Sequence, residues 1–340
     1  ATGYQALSTN STGTDNTAYG MQALKVNTTG TSNTSTGWRS LFSNTTGANN
    51  VAVGSSALDA NTTANNNVAC GMNSLTANTT GSENSGFGHR TLADNTTGSL
   101  NTAVGMNALD ANTTASANTA VGARALTNHT TGDSNTAVGY QSLTESTTAV
   151  NNAAVGYNSL VLNTTGSNNT AHGFEALRNN TTGGQNVAVG SFALDANTTA
   201  SQSTAIGYSA LTSNTTGNEL TAFGYHALSS NTTGSWNTAF GRVALDNCTT
   251  GGQNVALGYH AGGNITVGNE NICIGQDTGN GITTGSDNVL IGDDAQIGAS
   301  YHANSVVLGS SITGKGSNTF YVSAWAGVYH AGNTTTWSTT

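Results

Sequence analysis

Apolar and polar positions recur along the chain with a period of 17 residues. The clearest marker is a glycine that closes a short apolar phrase, and it recurs without insertion or deletion from Gly3 to Gly309. Because no repeat changes length, equivalent residues of neighbouring repeats must meet one another. The pattern predicts an all-β fold, a parallel β-solenoid with one 17-residue coil per repeat. With rungs roughly 4.8 Å apart, the 18 steps predict a rod about 85 Å long.

Three residue types stack in columns under this period. A leucine four residues after the marker glycine predicts a buried core stripe, and an asparagine before each strand predicts a ladder of stacked amides. The NTTG phrase predicts a corner whose glycine supplies a positive φ. The structural ladders are Leu7, Leu24, Leu41, Leu58, Leu75, Leu92 and Leu109; Asn101, Asn118 and Asn135; and the marker glycines Gly105, Gly122 and Gly139.

Both faces of the strand phrase are apolar. One face carries Ala103 and its equivalents, and the other carries Val104 together with residues such as Tyr140 that follow the marker glycine. A strand that is apolar on both sides is normally buried on both sides. A 17-residue coil has room for one core. We therefore expect copies to associate along the rod axis.

The repeat changes character toward the C-terminus. It is regular to about residue 258 and degenerate but in phase to 309, so 1–309 is predicted as the solenoid. Residues 310–340 break the period and are predicted to be a terminal cap or an inter-subunit joint, because a solenoid end needs covering. The first residues start inside a repeat, which suggests a processed or truncated N-terminus. The aromatic residues assigned to the cap or joint are Phe320, Tyr321, Trp325, Tyr329 and Trp337.

Composition narrows the function classes. Charged residues make up 7% of the chain, proline is absent and the formal net charge is -9, which disfavours a nucleic-acid partner. No run of 18 apolar residues predicts a membrane span. The three cysteines, Cys70, Cys248 and Cys273, are expected to be small buried hydrophobes, since they form no disulfide framework. No cofactor motif is present.

The recurrent Asn-x-Thr phrase is also the sequence of a glycosylation acceptor. Glycans spaced roughly 4.8 Å apart along one line could not all fit, although a few at irregular coils stay open. The threonine after that asparagine forms a candidate outward ladder that could order ice-like water, or it fills turn and strand positions as a β-branched residue. The candidate ladder begins with Thr28, Thr45, Thr62, Thr79 and Thr96.

Catalytic and metal chemistry have little support in the sequence. The seven histidines occupy different positions of the repeat, and no metal-ligand spacing or nucleophile elbow appears. Asp287, Asp293 and Asp294 could bind a cation or be exposed turn residues. We expect no catalytic residue and no resident metal.

The phrase NTAVG resembles the head repeats of trimeric autotransporter adhesins. The longer phrase NTAVGYxALxxNTTG is similar to repeats in phage tail fibres and in microbial and viral surface proteins. The resemblance covers about residues 1–309 and implies a left-handed parallel β-roll and a homotrimer. The repeat here is longer than the usual adhesin coil, so coil shape and packing can differ.

These observations favour a structural subunit of an extracellular fibre or filament, on a cell surface or a virion, that self-associates as a homotrimer or head to tail. The alternative is an adhesin or receptor-binding rod that binds glycan, matrix or ice through outward threonine, asparagine and tyrosine ladders. An enzyme such as a polysaccharide-degrading tailspike would need a wider coil with clustered carboxylates. The 16 acidic residues are instead spread along the chain.

Overall fold

The computed structural model describes residues 1–322 and shows a β-solenoid with no helix in that range. Every strand pairs in parallel with the next one in chain order, and the first 18 strands begin 17 residues apart. The strands are β1 Thr17–Tyr19, β2 Thr34–Thr36, β3 Val51–Val53, β4 Val68–Cys70, β5 Ser85–Phe87, β6 Thr102–Val104, β7 Thr119–Val121, β8 Thr136–Val138, β9 Ala153–Val155, β10 Thr170–His172, β11 Val187–Val189, β12 Thr204–Ile206, β13 Thr221–Phe223, β14 Thr238–Phe240, β15 Val255–Leu257, β16 Ile272–Ile274, β17 Val289–Ile291, β18 Val306–Leu308 and β19 Phe320–Val322.

The backbone ladder extends around the coil beyond these three-residue strands. On one side Gly122 N donates to Val104 O at 2.7 Å, and on another Thr113 N donates to Thr130 O at 3.1 Å. Leu109 N donates to Ala125 O at 3.0 Å in the stretch between them. Each coil is therefore hydrogen-bonded to both neighbours on several sides. The predicted parallel β-solenoid is confirmed, while its left hand stays a prediction.

The core is one row of leucines lined by alanines. Leu24 and each equivalent leucine through Leu245 is fully buried, and Leu7 in the first coil is partly buried against the same cluster. The middle residue of each strand, for example Ala103, points into this core. Small residues fit there because a coil of this length encloses little volume beyond the leucine, and the larger Leu290 and Val307 occur in coils near the C-terminal end, where the core leucine is replaced.

The backbone geometry of the coil requires glycine at the marker position. Gly122 has φ +136°, and a Cβ on it would lie 2.4 Å from the carbonyl oxygen of Gly139 in the next coil. The predicted positive φ of the NTTG glycine was wrong, because Gly47 lies outside the left-handed region. Positive φ falls instead on three non-glycine positions of each coil through Leu245, such as Asn107, Leu109 and Ala117, with φ of 58°, 52° and 58°.

The solenoid continues beyond residue 309. Strand β19 pairs in register with β18, with Val306 opposite Phe320, so the last coil has 14 residues instead of 17. Phe320 and Tyr321 of the predicted cap thus belong to a strand of the rod. Trp325, Tyr329 and Trp337 lie outside the described residues.

Candidate functional site

The asparagines of the NTT corners form a buried stack that we call the corner ladder: Asn27, Asn44, Asn61, Asn78, Asn95 and Asn112, then Asn163, Asn180, Asn197, Asn214 and Asn231. The Nδ2 of Asn44 donates to Asn27 Oδ1 at 2.8 Å and to Gly47 O at 3.0 Å. Its Oδ1 accepts from Asn61 Nδ2 at 2.8 Å. The same two bonds form at the other members except Asn163, whose Nδ2 donates to Gly166 O alone. A glycan at these asparagines would replace an amide hydrogen that is bonded inside the rod.

The asparagines before the strands form a second buried stack, the entry ladder, which includes Asn101, Asn118 and Asn135. Asn118 N donates to Asn101 Oδ1 at 3.0 Å, and Asn118 Nδ2 donates to Gly132 O at 3.0 Å. Asn135 Nδ2 reaches Asn118 Oδ1 at 3.1 Å. The entry ladder therefore ties each strand to the neighbouring coil and to the corner across the coil.

The corner ladder is interrupted at two places, and each interruption leaves an acceptor unsatisfied. His129 follows Asn112, and Cys248 follows Asn231. The Oδ1 atoms of Asn112 and Asn231 are buried without a hydrogen-bond partner. An unpaired buried acceptor is costly, so these are weak points of the stack.

The buried His129 replaces an asparagine with a different hydrogen-bond pattern. Its Nε2 lies 2.5 Å from Gly132 O and its Nδ1 lies 3.2 Å from Ser146 Oγ. A neutral ring protonated on Nε2 donates to the carbonyl and accepts from the serine. Burial lowers the pKa of His129 below its ordinary 6.5, while the backbone of Gly132 and the carboxylate of Asp133 oppose that shift.

At some irregular coils a sequon asparagine sits one residue earlier and is exposed. Asn128, Asn247 and Asn264 precede the ladder positions His129, Cys248 and Ile265, and each is followed two residues later by threonine. The glycan alternative therefore retains acceptors at these coils. Exposure separates them from the ladder asparagines, a distinction that the sequon itself does not carry.

The outward threonine column lies one residue further along than predicted. The hydroxyl of Thr28 donates to Thr45 O at 3.0 Å, and Thr45 donates to Thr62 O at 3.1 Å, so this half-buried column belongs to the wall. The same holds for Thr62, Thr79 and Thr96, whose hydroxyls donate to the next coil. The exposed threonines are the next residues: Thr29, Thr46, Thr63, Thr80 and Thr97.

One side of the rod is an exposed apolar surface, the outer face. It consists of the first and third residues of each strand and the residue after the marker glycine, as in Thr102, Val104 and Met106. Val104 is 37% exposed and Tyr140 is 43% exposed, whereas Ala103 between the strand ends is buried. Of the two predicted apolar faces, the coil fills one with its own core and leaves the other in solvent.

Aromatic rings stack along the outer face. Tyr140 and Tyr157 have ring centroids 5.5 Å apart at 17°, and Tyr157 and Phe174 have centroids 5.3 Å apart at 7°. Phe223 and Phe240 repeat this arrangement at 4.7 Å. Within these pairs each ring partly covers the face of its neighbour. The stacked rings therefore offer a sugar less ring face than isolated aromatic side chains would.

Charge is nearly absent from the outer face. Of the 16 acidic residues only Asp293 lies on it, and Arg242 is its one arginine or lysine, with His89 and His172 as further titratable residues. Asp59 and Asp110 lie elsewhere on the coil and pair with Arg39 and Arg90, with nitrogen to oxygen distances of 3.1 Å. The net charge of -9 is therefore carried by the other sides of the rod.

The three thiols differ in access. Cys248 and Cys273 are buried, and burial raises the pKa of each thiol to about 12. Cys70 is half-buried at the end of β4 and lies on the outer face. Cys70 is thus the accessible thiol of the chain.

Within residues 1–322 no group of three or more histidine, cysteine, aspartate or glutamate side chains is arranged to hold a metal ion. The structure therefore does not bring Asp287, Asp293 and Asp294 together as a cation site. No helix in the same range is long and apolar enough to cross a membrane.

No protein-family model matches this chain. A search of curated proteins likewise finds no match.

Proposed function

We propose that the protein is a structural subunit of an extracellular fibre, on a cell surface or a virion, and that it performs no catalysis. The observation that carries this proposal is the continuous backbone ladder of residues 1–322, in which the 19 strands pair in chain order. A rod of this kind transmits force along its axis through hydrogen bonds that run from coil to coil. Its role is to hold material at a distance from a surface.

The two asparagine ladders support this role. They add side-chain hydrogen bonds to the backbone bonds, and they do so inside the rod, where water does not compete. Because each coil contacts only its neighbours, such a rod can be lengthened by adding further coils of the same structure. Exposed loops, where proteases usually cut, are short on the coils of residues 1–322.

The experiment is immunogold labelling of material from the source organism with antibodies raised against the purified chain. Gold at regular intervals along extracellular fibres is the expected result for a shaft subunit. Gold inside cells, with none on fibres, would overturn the proposal. Gold at fibre tips alone would favour a binding tip instead.

A second candidate function is a rod that binds glycan, matrix or ice directly. The exposed threonine column that includes Thr29 favours it, because hydroxyls at a regular spacing face solvent. The buried asparagines do not contribute to such a surface. Freezing-point hysteresis of the purified chain tests the ice version, and Thr97→Val with Thr114→Val should abolish any activity found. Hysteresis equal to that of buffer alone would remove it.

A further inference from the structure

We propose that the outer face is the docking surface for a second copy of this chain, so that rods associate side by side. This inference identifies the partner of each rod in the fibre, and it therefore rests on the proposed function. Three properties of the outer face indicate that a second copy binds there: its exposed area, its charge and its periodicity.

The exposed area is large for a chain that stays alone. Eleven aromatic residues of the outer face, from Tyr19 to Tyr259, are between 43% and 62% exposed. At about 200 Å² a side chain, they leave roughly 1,000 Å² of aromatic surface in water. Monomeric proteins rarely expose contiguous apolar patches above a few hundred Å², and a stable interface needs about 800 Å² per partner.

The charge distribution favours a like partner. Two copies that each carry a net charge of -9 repel one another on most approaches. The outer face is where that repulsion is weakest, since Asp293 and Arg242 are its only formally charged residues. A basic partner, or an anionic membrane, would find no cluster of complementary charge on this face.

The periodicity favours a second solenoid. The side chains of the face stand in rows, one rung of about 4.8 Å per coil, along the length of the rod. Only a partner with the same rung spacing can set its own rows between these rows throughout that length. A second copy of the chain has that spacing by construction, whereas a globular protein would cover a few coils.

The experiment compares two triple variants that add the same charge. Val121→Glu, Phe223→Glu and Phe240→Glu together place three carboxylates on the outer face. The control places three on exposed threonines of another side, with Thr114→Glu, Thr216→Glu and Thr233→Glu. Sedimentation velocity gives the mass of each, and the protection of Cys248 and Cys273 from a maleimide reports that each variant has folded.

We expect the wild type and the control to sediment at twice 34.0 kDa or more, and the outer-face variant to sediment as a single chain. In the associated state Cys70 should react with the maleimide many-fold more slowly than in the outer-face variant. A wild type that sediments as one chain at every concentration would overturn the proposal, even if another molecule were found to bind the outer face. So would an outer-face variant that still associates and still protects Cys70.

Failure of this proposal and failure of the proposed function are distinguishable. If fibres label on the source organism but the outer-face variant associates like wild type, the docking surface is elsewhere and the structural role stands. If copies pair through the outer face but no fibre carries the protein, the docking surface stands and the structural role fails.

Discussion

The coils with corner positions from 27 to 112 and the coils with corner positions 265 and 282 fill the same corner in different ways. The first group places an asparagine in the corner and a leucine at a positive φ in the core, as in Asn44 and Leu41 with φ 49°. In the second group the asparagine becomes Ile265 and the leucine becomes Gly262 with φ 60°. The two exchanges occur together, and Ile282 with Gly279 repeats them.

The geometry explains why the exchanges are coupled. A Cβ on Gly262 would lie 3.1 Å from Ile265 Cδ1 and 3.0 Å from Leu245 Cδ2, so the isoleucine occupies space that a leucine takes elsewhere. The corner carbonyl keeps a partner, because Asn254 Nδ2 still donates to Gly268 O at 2.8 Å. A polar ladder and an apolar filler are therefore alternative solutions, provided that the core residue changes as well.

Glycosylation should disrupt the coils with a corner asparagine much more than the coils with a corner isoleucine. In a secretory pathway that modifies unfolded chains, corner asparagines such as Asn44 would receive glycans, and the buried ladder could not form. We expect the glycosylated chain to be degraded by a protease that leaves the cytosolically produced chain intact. Blocking oligosaccharide transfer with tunicamycin should restore resistance. A protease-resistant rod with glycans on corner-ladder asparagines would contradict the ladder.

Asn44→Ala should cost about 2–5 kcal/mol of unfolding free energy, since it removes the partners of Asn27 Oδ1 and of one Asn61 amide hydrogen. The matched control is Thr46→Ala at an exposed position two residues away, which should stay within about 0.5 kcal/mol. Urea unfolding followed by circular dichroism measures both. Equal effects for the two variants would show that the ladder amides contribute nothing special.

Transplanting the C-terminal solution tests the coupling. Leu41→Gly alone should destabilise by about 2–5 kcal/mol through the cavity, and Asn44→Ile alone should destabilise by overpacking and by orphaning its neighbours. In the double variant the isoleucine fills the cavity, so the sum of the single effects should exceed the double effect by about 1–3 kcal/mol. Strict additivity in a double-mutant cycle would refute the proposed compensation.

His129→Asn should rejoin the corner ladder, because the new amide can donate to the unsatisfied Asn112 Oδ1 and to Gly132 O. We expect a gain of about 1–2 kcal/mol. The wild type should also lose stability as the pH falls below about 6.5, since the folded-state pKa of His129 is lowered and the unfolded chain binds the proton more tightly. The variant should lack that dependence; a His129→Asn chain with the wild-type pH profile would exclude the imidazole as its source.

Ala117→Gly probes the backbone strain that glycine relieves at Gly262 and Gly279. Ala117 is exposed at φ 58°, so glycine should stabilise the coil by about 0.5–1 kcal/mol. Ala111→Gly lies outside the positive-φ set and should destabilise by about 0.5–1 kcal/mol. Thermal midpoints of the two variants should therefore move in opposite directions.

The period of the sequence was enough to predict the coil, the parallel pairing and the leucine core, because stacked repeats force equivalent residues together. It did not show that Leu109 adopts φ 52°, since leucine carries no signal for that conformation. The shift of the outward column from Thr28 to Thr29 depends on which hydroxyl reaches the next carbonyl. The 14-residue last coil could not be predicted from the repeat, because β19 pairs with β18 although the 17-residue period is no longer kept.

Candidate chemistry was harder to derive than the fold. Sequon and ladder share the same Asn-x-Thr letters, and burial alone separates Asn44 from the exposed Asn128. The two apolar faces of the strand phrase predicted a face that the coil's own core does not fill and that would need a partner. The lack of charge on that face follows only from the place of each residue on the coil.

Electron microscopy of the purified chain tests the central claim most directly. The account predicts rods that associate side by side, so that the particles are wider than a single solenoid or longer than its length of about 85 Å. In the outer-face triple variant these associated particles should disappear. Isolated single rods of one subunit length at every concentration of the wild-type protein would contradict it.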